Sequence, residues 1–213
     1  MIPPDEDAAG AATDVGSDVP RRGRDALLLV DVQRDFLPGG ALAVRDGDAV
    51  VPVLDQWVRA FHRVGARVYA SRDWHPANHC SFRSRGGPWP PHCIAGTPGA
   101  EFAPGLTLPP DVVIVSKAVE PQRDAYSALD GTGLGAALQA AGVERLWIGG
   151  LATDYCVRAT VLDALQAGFQ VRVLAEGVRA VERLPGDGAR ALAAMHAAGA
   201  VLRSGPAPGG PRT

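Results

Sequence analysis

The segment "SRDWHPANHC" (71–80) sets Asp73, His75 and His79 within ten positions of a chain that has only five histidines. In extended chain the side chains at i and i+2 point the same way, so Asp73 and His75 can address one point while Trp74 faces elsewhere. Pro76 disfavours a helix through the segment. Carboxylate and imidazole together suit a divalent transition metal, and a turn after His75 brings His79 back to the same point. His92, in the proline-rich "GGPWPPHCIAGTPG", is the fourth candidate ligand. Three histidines fit an all-oxygen calcium or magnesium site poorly. Cys80 and Cys93 each follow a histidine directly and would face the opposite way in extended chain, so a thiolate-rich site has to exclude the imidazoles; the imidazoles are preferred. The plain alternative is a solvated loop whose histidines only hydrogen-bond. His62 and His196, each on an expected helix, read as surface residues.

Two further side chains could do chemistry. Lys117 is the only lysine: of 21 Lys+Arg, 21 − 1 = 20 are arginines. An ammonium differs from a guanidinium in being a compact point charge with a tunable pKa, so one lysine among so many arginines suggests a chemical requirement rather than surface charge. Cys156 sits in "WIGGLATDYCVRATVLDAL", where an apolar strand breaks at Gly149–Gly150 and a helix starts near Thr153 or Asp154. In a first helical turn, free N–H groups and the helix dipole are expected to favour thiolate over thiol and could hold an oxyanion. Structural packing is the alternative for this thiol, as solvent exposure is for the lysine.

The elements that must position these groups follow from the hydrophobic pattern. Short apolar runs at 26–31, 67–71, 112–116, 145–150, 170–174 and 200–203 predict six strands. Val50, Leu54, Trp57, Val58, Phe61 and Val64 fall at helical spacing, and further helices are expected near 133–141, 154–167 and 187–198. Strands alternating with helices imply a mostly parallel sheet covered on both faces, whose ligands bind at the strands' carboxyl ends. Asp31, Asp73, Lys117 and Cys156 all fall at that edge. Residues 1–24 read as a disordered extension, 25–204 as one folded domain and 205–213 as a flexible tail.

Composition limits the partners. A net charge of −2 gives no basic footprint for nucleic acid or an anionic membrane surface, and no run of about 20 apolar residues predicts a membrane span. A small-molecule substrate and a cytoplasmic setting are expected. Three cysteines without CxxC spacing make a poor disulfide framework. A homo-oligomer is compatible with the sequence but not indicated by it.

Five segments, "LLLVDVQRDFLPGGALAV", "SRDWHPANHCSF", "WPPHCIAGTPGAEF", "SKAVEPQRDAYSALDG" and "GLATDYCVRATVLDA", occur in this order and resemble nicotinamidases of the isochorismatase-like cysteine hydrolase superfamily. The resemblance runs from about Ala26 to Leu202. It implies a three-layer α/β/α sandwich around a six-stranded parallel sheet. It assigns Asp31, Lys117 and Cys156 as a catalytic triad, and Asp73, His75, His79 and His92 as ligands of one divalent transition ion, zinc in the first place, with iron or manganese as alternatives. It assigns the amides of Ala152 and Cys156 to an oxyanion hole beside a cis Leu151–Ala152 peptide, and Phe36, Trp89 and Tyr126 to the walls around a pyridine ring. The implied reaction is hydrolysis of nicotinamide to nicotinate and ammonia through a cysteine thioester, in NAD salvage, with pyrazinamide also accepted. Another carboxamide or carbamoyl compound is the alternative substrate, and a metal-stabilised binding domain with an incidental thiol the alternative class. One position departs from the pattern: Ala118 follows Lys117 where many relatives have glycine.

Overall fold

The computed structural model describes residues 19–209. Six strands, β1 (Asp25–Val30), β2 (Arg67–Asp73), β3 (Val113–Lys117), β4 (Arg145–Leu151), β5 (Gln170–Arg179) and β6 (Val201–Arg203), form one sheet in the order β3-β2-β1-β4-β5-β6. Every pairing is parallel. Four α-helices, α1 (Val50–Arg63), α2 (Leu134–Ala140), α3 (Arg158–Gln166) and α4 (Asp187–Ala197), cover the two faces.

The alternation along β1 shows how the layers are set. Leu27 and Leu29 pack with Leu54, Trp57 and Phe61 of α1 on one face. Ala26, Leu28 and Val30 pack with Leu138 of α2, Val161 of α3 and Met195 of α4 on the other. All five apolar residues of β1 from Ala26 to Val30 are fully buried, which explains why β1 reads as a continuous apolar run rather than an alternating one. Burying each leucine contributes about 1.5–3 kcal/mol. At the amino end of the sheet, the buried Asp25 and Arg145 form a bidentate pair at 2.9 and 2.7 Å.

Chain order runs outward from β1 to β2 and β3 on one side and from β4 to β5 and β6 on the other. The crevice where the order reverses therefore lies at the carboxyl ends of β1 and β4, the place where open parallel sheets bind ligands. Gly150 makes this junction possible. It has φ 136°, and a Cβ there would lie 2.0 Å from the Val30 carbonyl oxygen. Beyond it the chain passes through a cis Leu151–Ala152 peptide into a π-helical turn, Thr153–Val157, that leads into α3.

The expected strands are all present, with shifted ends. Asp73 and Lys117 are the last residues of β2 and β3 rather than residues just past them. β5 continues five residues beyond the expected Leu174, across a register irregularity opposite Ile148–Gly150; Glu176 and Gly177 interrupt the apolar run there and hide the strand. The expected N-terminal extension lies largely outside the described residues, but Arg21–Arg24 form a turn whose carbonyls accept hydrogen bonds from Asp25, Glu144 and Arg145. In the C-terminal segment Ala207 is buried in the α1-side core, and Gly205 N–H donates to Glu176 at 3.1 Å. Residues 210–213 lie outside the described residues. Among the described residues, no helix is long and apolar enough to cross a membrane.

Replacing Gly150 by alanine is expected to lower unfolding stability by more than about 3 kcal/mol, because backbone strain adds to a collision that the β1 strand cannot relieve. Gly168, at φ 90° with open space around its Cβ position, is the control: its alanine variant should lose only about 1–2 kcal/mol. Urea denaturation midpoints of the two variants test the contrast.

Candidate active site

Three strand ends and the π-helical turn converge on one ammonium. Lys117 Nζ lies 3.0 Å from Asp31 Oδ2, 2.5 Å from Asp73 Oδ1, 3.1 Å from the Ala125 carbonyl oxygen and 3.5 Å from Cys156 Sγ. Its side chain has no exposed surface. Asp31 directly follows β1 with φ 49°, in the left-handed region, and is fully buried. Its Oδ1 accepts a 2.7 Å hydrogen bond from Ser71 Oγ. Ser71 and Asp73 are alternate residues of β2, so both aim at this point. Ala118, next after Lys117, has φ 51°. Glycine adopts that conformation freely, and alanine holds it at a cost of about 1–2 kcal/mol.

The surroundings push the two carboxylates apart. Burial raises the pKa of Asp31, and Lys117 only partly offsets it while Asp73 adds to it. Asp73 is also opposed by burial, but Lys117 and His75 hold it well below the ordinary carboxylate range. Burial works against the Lys117 ammonium, yet Asp31 and Asp73 overcome it and keep its pKa well above the usual lysine value. The thiol departs from the expectation of a ready thiolate. Burial, with help from Asp31 and Asp73, pushes the pKa of Cys156 well up against the pull of Lys117. Its helix-terminal position is outweighed by enclosure and by negative neighbours, so a base must remove the proton.

Asp73 turns its second oxygen the other way. Its Oδ2 lies 3.6 Å from His75 Nε2 and 4.0 Å from His92 Nε2, and ligand atoms of the three residues lie within 4.8 Å of one another. His92 Nδ1–H donates to the Pro90 carbonyl oxygen at 2.8 Å, which leaves its Nε2 lone pair facing the trio. His75 is 2% exposed and neither ring nitrogen has a hydrogen-bond partner. A buried imidazole without a partner is costly unless something else fills that role, so the donor set fits a divalent transition ion. Burial lowers the pKa of His92 and so favours the neutral, ligating form.

His79 is placed differently. Its ring lies 4.3 Å from that of His75, but Nδ1 meets Ser81 Oγ at 2.7 Å and Nε2 meets the Arg123 carbonyl oxygen at 3.0 Å. With both nitrogens engaged it stands outside the converging trio. Cys80 and Cys93 also lie outside it; all three cysteines are free. His62 and His196 are exposed.

Above these groups opens a cleft of about 350 Å³, counted to its mouth, lined by Phe36, Trp89, Tyr126, Tyr155, Val181 and Leu42 with Asp73, His92, Ala152 and Cys156 among its walls. Trp89 Nε1–H donates to Tyr126 Oη at 3.0 Å, and Tyr155 packs edge-on against Trp89 with centroids 4.9 Å apart. The cleft is walled mainly by aromatic and apolar side chains with a few polar groups at its floor, the make-up of a small-molecule site. In the π-helical turn the N–H groups of Tyr155 and Val157 both donate to the Ala152 carbonyl oxygen at 3.1 Å.

Sequence reasoning did not find Ser71, Tyr155 or Val181. The period-2 alternation from Asp73 pointed to Ser71, and adjacency to Cys156 pointed to Tyr155. Val181 carried no signal, because it arrives from the β5–α4 connection.

Residues 25–205 match the isochorismatase domain family. The nicotinamidase of Escherichia coli (strain K12) is 42% identical over 198 residues, covering 83% of this chain and 93% of that protein. The zinc complex of the Pyrococcus horikoshii pyrazinamidase superposes with a TM-score of 0.82 at 50% identity, over 85% of this chain and 99% of its own. The nicotinate complex of PnC1 from L. infantum superposes with a TM-score of 0.78 at 35% identity, over 87% and 96%. A parallel sheet with its reactive side chains at the β1/β4 switch, matched along nearly the whole folded region, places this chain in the isochorismatase family.

Proposed function

We propose that the chain is a nicotinamidase that hydrolyses nicotinamide to nicotinate and ammonia, in the salvage of pyridine nucleotides. One observation carries the reading: the Asp31–Lys117–Cys156 cluster and the Asp73–His75–His92 trio meet at the floor of one aromatic cleft, sharing Asp73. The E. coli nicotinamidase and the nicotinate-bound structure support the substrate. The cytoplasm suits an enzyme whose three thiols are free.

The residues divide the work by their surroundings. Asp31, with its raised proton affinity, takes the proton of Cys156 as the sulfur attacks the carboxamide carbon. Lys117 stays charged and stabilises the sulfur and both carboxylates through the step. The N–H groups of Ala152 and Cys156 receive the negative oxygen of the tetrahedral intermediate. Asp31 then returns its proton to the departing nitrogen, ammonia leaves, and a thioester remains. A water molecule deprotonated by Asp31 cleaves that thioester and frees the carboxylate product. Phe36, Trp89 and Tyr126 hold the flat ring between them. Asp73, His75 and His92 would hold a divalent transition ion, zinc first, with iron or manganese as alternatives. When bound, such an ion supplies a Lewis-acid anchor for a ring nitrogen. His79 packs on His75, and serving as the fourth ligand that the resemblance implies would require it to give up its bonds to Ser81 and the Arg123 carbonyl.

Cys156→Ala is expected to lower ammonia release from nicotinamide, and from its isostere pyrazinamide, by at least about 1,000-fold; turnover at the native rate would refute the mechanism. Lys117→Met leaves Asp31 and Asp73 facing each other without a counter-charge, and should cost about 3–5 kcal/mol of stability as well as activity. Thermal unfolding, followed by circular dichroism, measures that loss. Prolonged dialysis against a chelator should reduce nicotinamide turnover, with recovery on adding back zinc, iron or manganese. Full activity in metal-stripped enzyme would remove the ion from the reading.

A further inference from the structure

Two polar residues just after β1 take no part in the chemistry above, yet both grip the backbone that carries the imidazole and carboxylate trio. Gln33 is fully buried. Its Oε1 accepts from the Asp73 N–H at 2.8 Å, while its Nε2 donates to the Asp73 carbonyl oxygen at 2.8 Å and to the Ala100 carbonyl oxygen at 2.9 Å. Two residues on, Asp35 Oδ2 accepts from the N–H of Cys93, the neighbour of His92, at 2.7 Å. The segments that Gln33 and Asp35 hold also touch each other: His75 N–H donates to the Cys93 carbonyl oxygen at 3.0 Å, and Ala95 N–H to that of His75 at 2.8 Å.

The residue types suit this task. A primary amide both accepts and donates, so it can answer the N–H and the C=O of one residue together. A glutamate could answer only the N–H and would bring another negative charge beside Asp73. Gly99 allows Asp35 its place, since a Cβ there would lie 2.2 Å from Asp35 Oδ2.

We propose that Gln33 and Asp35 are positioning residues that set how tightly the Asp73–His75–His92 trio holds a divalent ion, by fixing the separation of the two backbone segments bearing those ligands. This rests on the metal reading of the trio. Residues that orient ligands from behind typically change metal affinity by about 10- to 100-fold when removed.

The test titrates zinc into metal-stripped full-length protein against a chromophoric chelator, for the native chain, Gln33→Met, Asp35→Ala and Gly99→Ala. Each is also melted with and without zinc. Gln33→Met should weaken zinc binding by about 10- to 100-fold and shrink the rise in Tm that zinc produces, because that rise follows the dissociation constant. Asp35→Ala and Gly99→Ala should weaken it by about tenfold, the second by displacing the carboxylate from outside; these two carry the test if Gln33→Met fails to fold. Variants that melt earlier with and without zinc by the same amount, at native zinc affinity, would overturn the proposal. A native chain that binds no zinc, or a His75→Ala variant that binds as well as the native chain, would overturn the metal reading itself and the proposal with it.

Discussion

Lys117 brings an ammonium to a point with no exposed surface. Such a charge persists only if opposite charge surrounds it, and the fold supplies Asp31 from the end of β1 and Asp73 from the end of β2. Two carboxylates against one ammonium leave an excess of negative charge in a medium where each charge is felt strongly. Burial, with the neighbouring carboxylates adding to it, holds the Cys156 thiol protonated and raises the proton affinity of Asp31 against the pull of Lys117. The excess of negative charge explains why the free side of Asp73 faces imidazole nitrogens suited to a cation.

Asp73 is therefore shared. One oxygen meets the ammonium and the other meets the histidines, so the nucleophile and the cation-binding trio cannot move independently. Asp73 and Lys117 pair in register across β2 and β3, and rigid strands serve this coupling better than loops would. The histidines come from connections instead, and the stretch after β1 braces them: Gln33 holds Asp73 and Ala100, and Asp35 holds Cys93 next to His92. The cleft walls are assembled from further afield: Trp89, Tyr126, Tyr155 and Val181 arrive on four separate stretches of chain and meet only above the site.

The sequence by itself determined the layers and the edge. Buried parallel strands need apolar side chains on both faces, so β1 to β4 and the start of β5 were legible as runs, and a reactive side chain following such a run has to lie at the carboxyl edge. The lone lysine stood out because arginine fills every other cationic position. The resemblance then named a role for each residue, His79 included. Only the tertiary structure decided which of those groups meet. The nitrogens of His79 are taken by Ser81 and a carbonyl in the β3–α2 connection, a partner more than forty residues away that local spacing cannot reveal. The protonated thiol was hidden for the same reason. A helix-terminal position is a local property that favours thiolate, whereas burial and the field of Asp31 and Asp73 exist only once distant strands have assembled around it.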